Sequence, residues 1–142
     1  MKIFISQPMN GKDEKDILQN MQKIFEDFKE YNEMVDPLPA DDCYILIDNY
    51  HKEGIPEDAG RLAYLGDSIS KMSDADIIIF APGWERAKGC AIEMEIARTY
   101  DILYTIYRPS SFSFSHRGRR CTYFDHLNSE RRDYRNDETS GE

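Results

Sequence analysis

A chain of 142 residues with 40% apolar content suits one domain around a single core. Its net charge of −9 sits in the body: residues 1–107 carry 11 basic against 21 acidic side chains, while residues 108–142 carry 7 arginines against 6 acids. Affinity for duplex nucleic acid comes from neutralising phosphates, so an acidic body excludes double-stranded nucleic acid as the main partner, though backbone N–H groups and one or two cations can still hold a small phosphorylated ligand.

No apolar run approaches the roughly 18 residues that mark a membrane span. The chain also opens directly on a strand rather than on a signal-like segment, so a cytoplasmic protein with no membrane partner is expected. Cys43, Cys90 and Cys121 are widely spaced with no CxxC pair, which fits free thiols in a reducing compartment. His51, His116 and His126 stand singly in irregular stretches, and no zinc spacing is present, so neither a metal nor another cofactor is expected.

Taken in order, residues 2–6 form a short apolar strand, and the loop Gln7-Pro8-Met9-Asn10-Gly11 follows with two strong turn residues. A helix is predicted over residues 13–31, because Ile17, Leu18, Met21, Ile24, Phe25 and Phe28 recur at i, i+3, i+4 spacing and Asp13 and Glu14 suit its amino end. Residues 33–36 read as a second strand ended by Pro37 and Pro39. Residues 44–47 also look strand-like, but their acidic and polar flanks make residues 40–55 read as an excursion over the active-site edge. Pro56 suits a first helical position, and Leu62, Leu65, Ile69 and Met72 mark one face of a helix ending near Ser73.

The stretch from Asp76 to Ala97 carries the most information. Residues 76–80 are an unbroken apolar run after Asp76, suited to a strand covered on both faces, and Pro82-Gly83 ends it. A helix over residues 89–100 follows, with Gly89 as N-cap, so that Glu93 falls in or near its first turn. Residues 102–107 form a further strand. The alternation predicts an α/β fold: a three-layer, flavodoxin- or Rossmann-like open parallel sheet of about four to five strands with helices on both faces. The domain is drawn over residues 1–109. Residues 110–142 form a polar extension expected to be largely disordered and dispensable to the fold, although Phe112, Phe114, Tyr123 and Phe124 could dock on the body or on a second subunit.

Open α/β sheets place their ligands at the carboxyl ends of the strands, where the 6–11 loop, the 82–89 loop and the helix bearing Glu93 should converge. There is no GxGxxG and no GxxxxGK[ST], so neither a dinucleotide site nor a P-loop is supported. Several pieces in combination resemble the nucleoside 2-deoxyribosyltransferase superfamily, and more closely its short phage and bacterial members with a Pro-Gly-Trp loop. They are residues 4–11, Asp36-Pro37-Leu38, Ala75-Asp76, Pro82-Gly83-Trp84, and Gly89-Cys90-Ala91-Ile92-Glu93 with Ala97. The resemblance spans about residues 1–107.

That resemblance implies a glutamate nucleophile four residues after a glycine and four before an alanine, which Glu93 matches. It also implies an aspartate as acid early in the preceding helix; here that position holds Ser68, with Asp67 one residue off. Substrate contacts would come from Ser6, Gln7, Pro8, Met9, Asn10, Gly11, Ser68, Gly83, Trp84, Arg86, Lys88 and Gly89. Arg86 and Lys88 flank the position where nucleotide hydrolases of the superfamily carry a phosphate-binding serine. The implied ligand is a nucleoside or nucleoside monophosphate, the implied chemistry is N-glycosidic bond cleavage or transfer, and the implied assembly is a homo-oligomer. Each residue also has a structural reading: Glu93 as a helix-start glutamate, Trp84 as a packing residue, Asp67 as a cap, Ser6 and Asn10 as turn formers. Two other functions stay open, a nucleotide-binding or sensing module without turnover and an interaction protein whose Arg-bearing tail meets a partner.

Overall fold

The computed structural model describes residues 1–35, 44–109 and 111–115. Along the chain run β1 (Lys2–Ser6), α1 (Glu14–Val35), β2 (Ile45–Leu46), α2 (Arg61–Met72), β3 (Ile77–Phe80), a 3₁₀ turn at Trp84–Arg86, α3 (Lys88–Thr99), β4 (Tyr104–Arg108) and β5 (Ser111–Ser115). The five strands form one sheet in the order β2-β1-β3-β4-β5. Its first four strands are parallel, and β5 returns antiparallel along β4. With three helices against this sheet the fold is three-layer α/β, as the alternation of periods predicts. No described helix is long and apolar enough to cross a membrane.

Side chains alternate across the pleat, which divides the core in two. Ile3, Ile5, Ile77 and Ile79 point toward α1 and pack with Met21, Ile24, Phe25 and Phe28. Phe4, Ile78 and Phe80 point to the other face and pack with Met72 of α2 and Met94 and Ala97 of α3. Strands buried on both faces can be continuous apolar runs, which is why Ile77–Phe80 is apolar throughout. On the first face Tyr107 Oη donates to Asp27 Oδ2 at 2.6 Å, tying α1 to β4.

Four expectations are corrected. Residues 33–35 continue α1 instead of forming a strand, because the helix runs a further turn and buries Asn32, whose Nδ2 donates to Tyr44 Oη at 2.6 Å. The parallel neighbour of β1 is Ile45–Leu46, in register Lys2 with Ile45 and Ile3 with Leu46. Residues 56–60 are turn rather than helix; α2 starts at Arg61, and Leu62 is 81% exposed while Ser68 is buried on its inner face. Leu62 lies in the first turn of α2.

Last, the sheet continues past residue 109. Every residue from Tyr104 to Arg108 pairs with one from Ser111 to Ser115, and Phe114 is buried against Phe28 and Tyr31. Phe112 packs edge-on against Phe28 at 5.4 Å between ring centroids. Docking of these two rings on the body, expected from their apolarity, is thus by strand addition. Tyr123 and Phe124, the disorder expected over residues 127–142, Cys43, Cys121, His116 and His126 all lie outside the described residues.

Candidate functional site

The strand order turns at β1 and β3: from β1 the chain moves outward to β2, and from β3 it moves the other way to β4. A crevice opens at such a switch point, at the carboxyl ends of the two strands. Those ends are Ser6 and Phe80, which are register partners. The loops beyond them touch, since a Cβ placed on Gly83 would lie 3.6 Å from Pro8 Cγ. Gly83 sits at φ +88°, in the left-handed region, which lets the chain turn from β3 into the 3₁₀ turn.

Alternation places Ser6 on the same face as Phe4, toward α3, and Gln7 on the opposite face. Ser6 Oγ donates to Glu93 Oε1 at 2.6 Å, a short charge-assisted length. Glu93 is only 4% exposed. The helix begins earlier than the sequence suggests: Ala87, not Gly89, is the N-cap, so Glu93 lies in the second turn and gains less from the helix dipole. Burial dominates its chemistry and pushes its carboxyl above the ordinary 4.5, against the Ser6 hydrogen bond and the positive charge of Lys52. Glu95 is exposed. Cys90, one turn before Glu93, is buried, and burial pushes its thiol up to about 11, so it stays protonated at neutral pH and is a poor nucleophile.

Beside this pair lies a second polar cluster, built by the segment after β2 and by α2. Lys52 Nζ donates to Ser68 Oγ at 2.8 Å and to Asn49 Oδ1 at 3.2 Å, and pairs with Asp67 Oδ2 at 3.3 Å. Ser68 Oγ in turn donates to Asn49 Oδ1 at 2.9 Å. Lys71 pairs with Asp67 at 3.1 Å and donates to the carbonyls of Asp48 and His51, which fastens the 48–52 segment to α2. Burial raises the Asp67 carboxyl, but the ammonium groups of Lys71 and Lys52 outweigh it and hold Asp67 below the usual carboxylate range. Burial pulls the Lys52 ammonium down, partly offset by Asp67.

The structure therefore pairs Ser6 with Glu93 and groups Ser68 and Asp67 with Asn49 and with Lys52, whose charge acts on Glu93. Gln7 faces away: its Nε2 donates to the Ile17 carbonyl at 3.1 Å and its Oε1 accepts from Asn20 Nδ2 at 2.9 Å, so it anchors the start of α1. Pro8 packs toward Gly83, and the Lys12 amide closes a turn onto the Met9 carbonyl with Asn10 and Gly11 exposed at its tip. Trp84 is half-buried with its ring 5.6 Å from Phe80, the packing arrangement. Arg86, at the end of the 3₁₀ turn, and Lys88, at the start of α3, are exposed, and Gly89 lies against Leu65 of α2. Asn49 and Lys52 were legible only as polar residues just past a strand end, a signal lost once residues 44–47 are not taken as a strand. Among the described residues no three His, Cys, Asp or Glu side chains are grouped to hold a metal ion.

The chain belongs to the family described as Domain of unknown function (DUF4406), whose family model matches residues 1–105. The match ends inside β4, so every residue of the site lies within it and β5 lies beyond it. No curated protein and no solved structure matches the chain.

Proposed function

We propose that this family member cleaves or transfers the N-glycosidic bond of a nucleoside or nucleoside monophosphate, with Glu93 as nucleophile. The observation that carries the reading is the buried Glu93 carboxylate, held by Ser6 at 2.6 Å where the strand order turns. The resemblance to nucleoside 2-deoxyribosyltransferases, through Gly89, Glu93 and Ala97 in particular, supplies the reaction class. An oxygen of Glu93 attacks the anomeric carbon while the carbon–nitrogen bond breaks, giving a glycosyl ester; water or a second base then displaces the carboxylate.

The departing base carries away the bond's electron pair and must take up a proton. Asp67, held ionised by Lys52 and Lys71, has none to give near neutral pH, so in this proposal the proton comes from water and Asp67 serves to hold Lys52. The exposed Arg86 and Lys88 are the cations available to a substrate phosphate.

The same ion pairs favour a second reading, a module that binds a nucleotide at this edge without turning it over. Incubation with a panel of deoxynucleosides and their monophosphates, with free base measured by chromatography, separates the two. The enzyme reading expects base release that falls at least about a hundredfold in Glu93→Gln, in the range typical for loss of a catalytic group. No base release from any member of the panel, with ligand binding equal in the wild type and Glu93→Gln, overturns it in favour of the binding module.

A further inference from the structure

A carboxylate taken almost wholly out of water with one hydroxyl as its hydrogen-bond donor would ordinarily become neutral, because an isolated buried charge is costly unless a cation faces it. Among the described residues Glu93 is in that position, and a neutral carboxyl is a poor nucleophile. The described residues around it supply few compensating charges. β1 contributes the neutral Ser6; α3 contributes Cys90, held as a thiol; the β1–α1 loop contributes Lys12, whose charge acts on Cys90. The segment after β2, the strand beside β1, contributes Lys52, whose positive charge acts on Glu93, and α2, which meets α3 where Leu65 lies against Gly89, places Asp67 and Lys71 behind it.

We propose that Lys52 is a positioning residue for this site: a fixed positive charge, clamped by Asn49, Ser68 and Asp67, that keeps the Glu93 carboxylate ionised and so sets the pH above which the site can act. The clamp argues for a fixed charge rather than a proton donor. The ammonium donates to Ser68 Oγ at 2.8 Å and to Asn49 Oδ1 at 3.2 Å, and it forms an ion pair with Asp67 Oδ2 at 3.3 Å, so its position is fixed from three sides. The Lys52 side chain is only 14% exposed, so bulk water screens its field weakly. Asp67 does not cancel that field, because it is shared with Lys71 and the group carries a net positive charge. The position one residue off the aspartate expected in the superfamily thus acquires a function: Ser68 and Asp67 together grip a lysine.

The inference rests on Glu93 being the reactive group, but its test needs no substrate. The side-chain carboxyls of Glu-labelled protein are titrated by ¹³C NMR, with Glu93→Gln assigning the Glu93 signal. Lys52→Met should move the Glu93 midpoint to higher pH, and Lys52→Arg should bring it back toward wild type. Lys52→Met leaves Asp67 paired with Lys71 and Asn49 bonded to Ser68, so the fold should survive. If it does not, Ser68→Ala, which loosens the ammonium and keeps its charge, is titrated instead and should shift the midpoint the same way. A Glu93 midpoint unmoved in whichever variant folds overturns the proposal. A shifted midpoint in a protein that releases no base upholds Lys52 while refuting the enzyme reading.

Discussion

Ionising Glu93 is expected to cost stability at neutral pH, and this can be measured without knowing the substrate. Its folded pKa is raised above the ordinary 4.5, chiefly by burial. A group raised in the folded state contributes stability below its unfolded pKa and loses it as pH rises through the folded value. Wild type therefore gives up stability on ionising Glu93, and Glu93→Gln, which keeps an acceptor for Ser6, should melt at a higher temperature at pH 7. The gap should close as pH falls below 4.5; a gap that persists unchanged in acid would show that the gain comes from something other than the charge. Glu93 is singled out in the sequence only through the superfamily resemblance, by its spacing to Gly89 and Ala97, and the structure shows it buried beside Ser6. Its electrostatic partner was not legible, because Lys52 is brought near by tertiary packing from a segment without periodicity, and no spacing rule connects positions 52 and 93.

At the scale of elements, periodicity placed the strands and helices that are long and strongly patterned, and failed where an element is short. β2 has two residues, too few for any period, while Glu33-Met34-Val35 alternates like a strand yet continues a helix already nucleated and packed through Phe25 and Phe28. β5 was hidden by composition: Ser111-Phe112-Ser113-Phe114-Ser115 is polar on average but places its two rings toward one face, the alternation of an edge strand half-covered by α1. Phe114→Ala should consequently cost about 3–5 kcal/mol in urea unfolding, the range for a buried phenylalanine. Truncation after Pro109 removes the whole strand and should unfold the protein or lower its melting temperature sharply. A truncated chain as stable as the full one would show that β5 adds nothing to the core.

At the scale of the molecule, the order β2-β1-β3-β4-β5 accounts for where the chemistry can be. Every crossover helix starts at the carboxyl edge, so the loops after β1, β2 and β3 gather there and deliver Ser6, Lys52 and Glu93 to one place from positions far apart in the chain. The acidic body and the two-faced core are silent on substrate; only the site distinguishes a glycosyl-transferring enzyme from a binding module of the same fold. The most direct measurement looks for the covalent intermediate. Protein incubated with a nucleoside or nucleotide from which it releases base is quenched in acid and mapped by peptide mass spectrometry. A sugar-mass adduct on Glu93, absent from Glu93→Gln, is the expected result. An adduct on another residue, or base release by Glu93→Gln at the wild-type rate, would contradict Glu93 as the nucleophile.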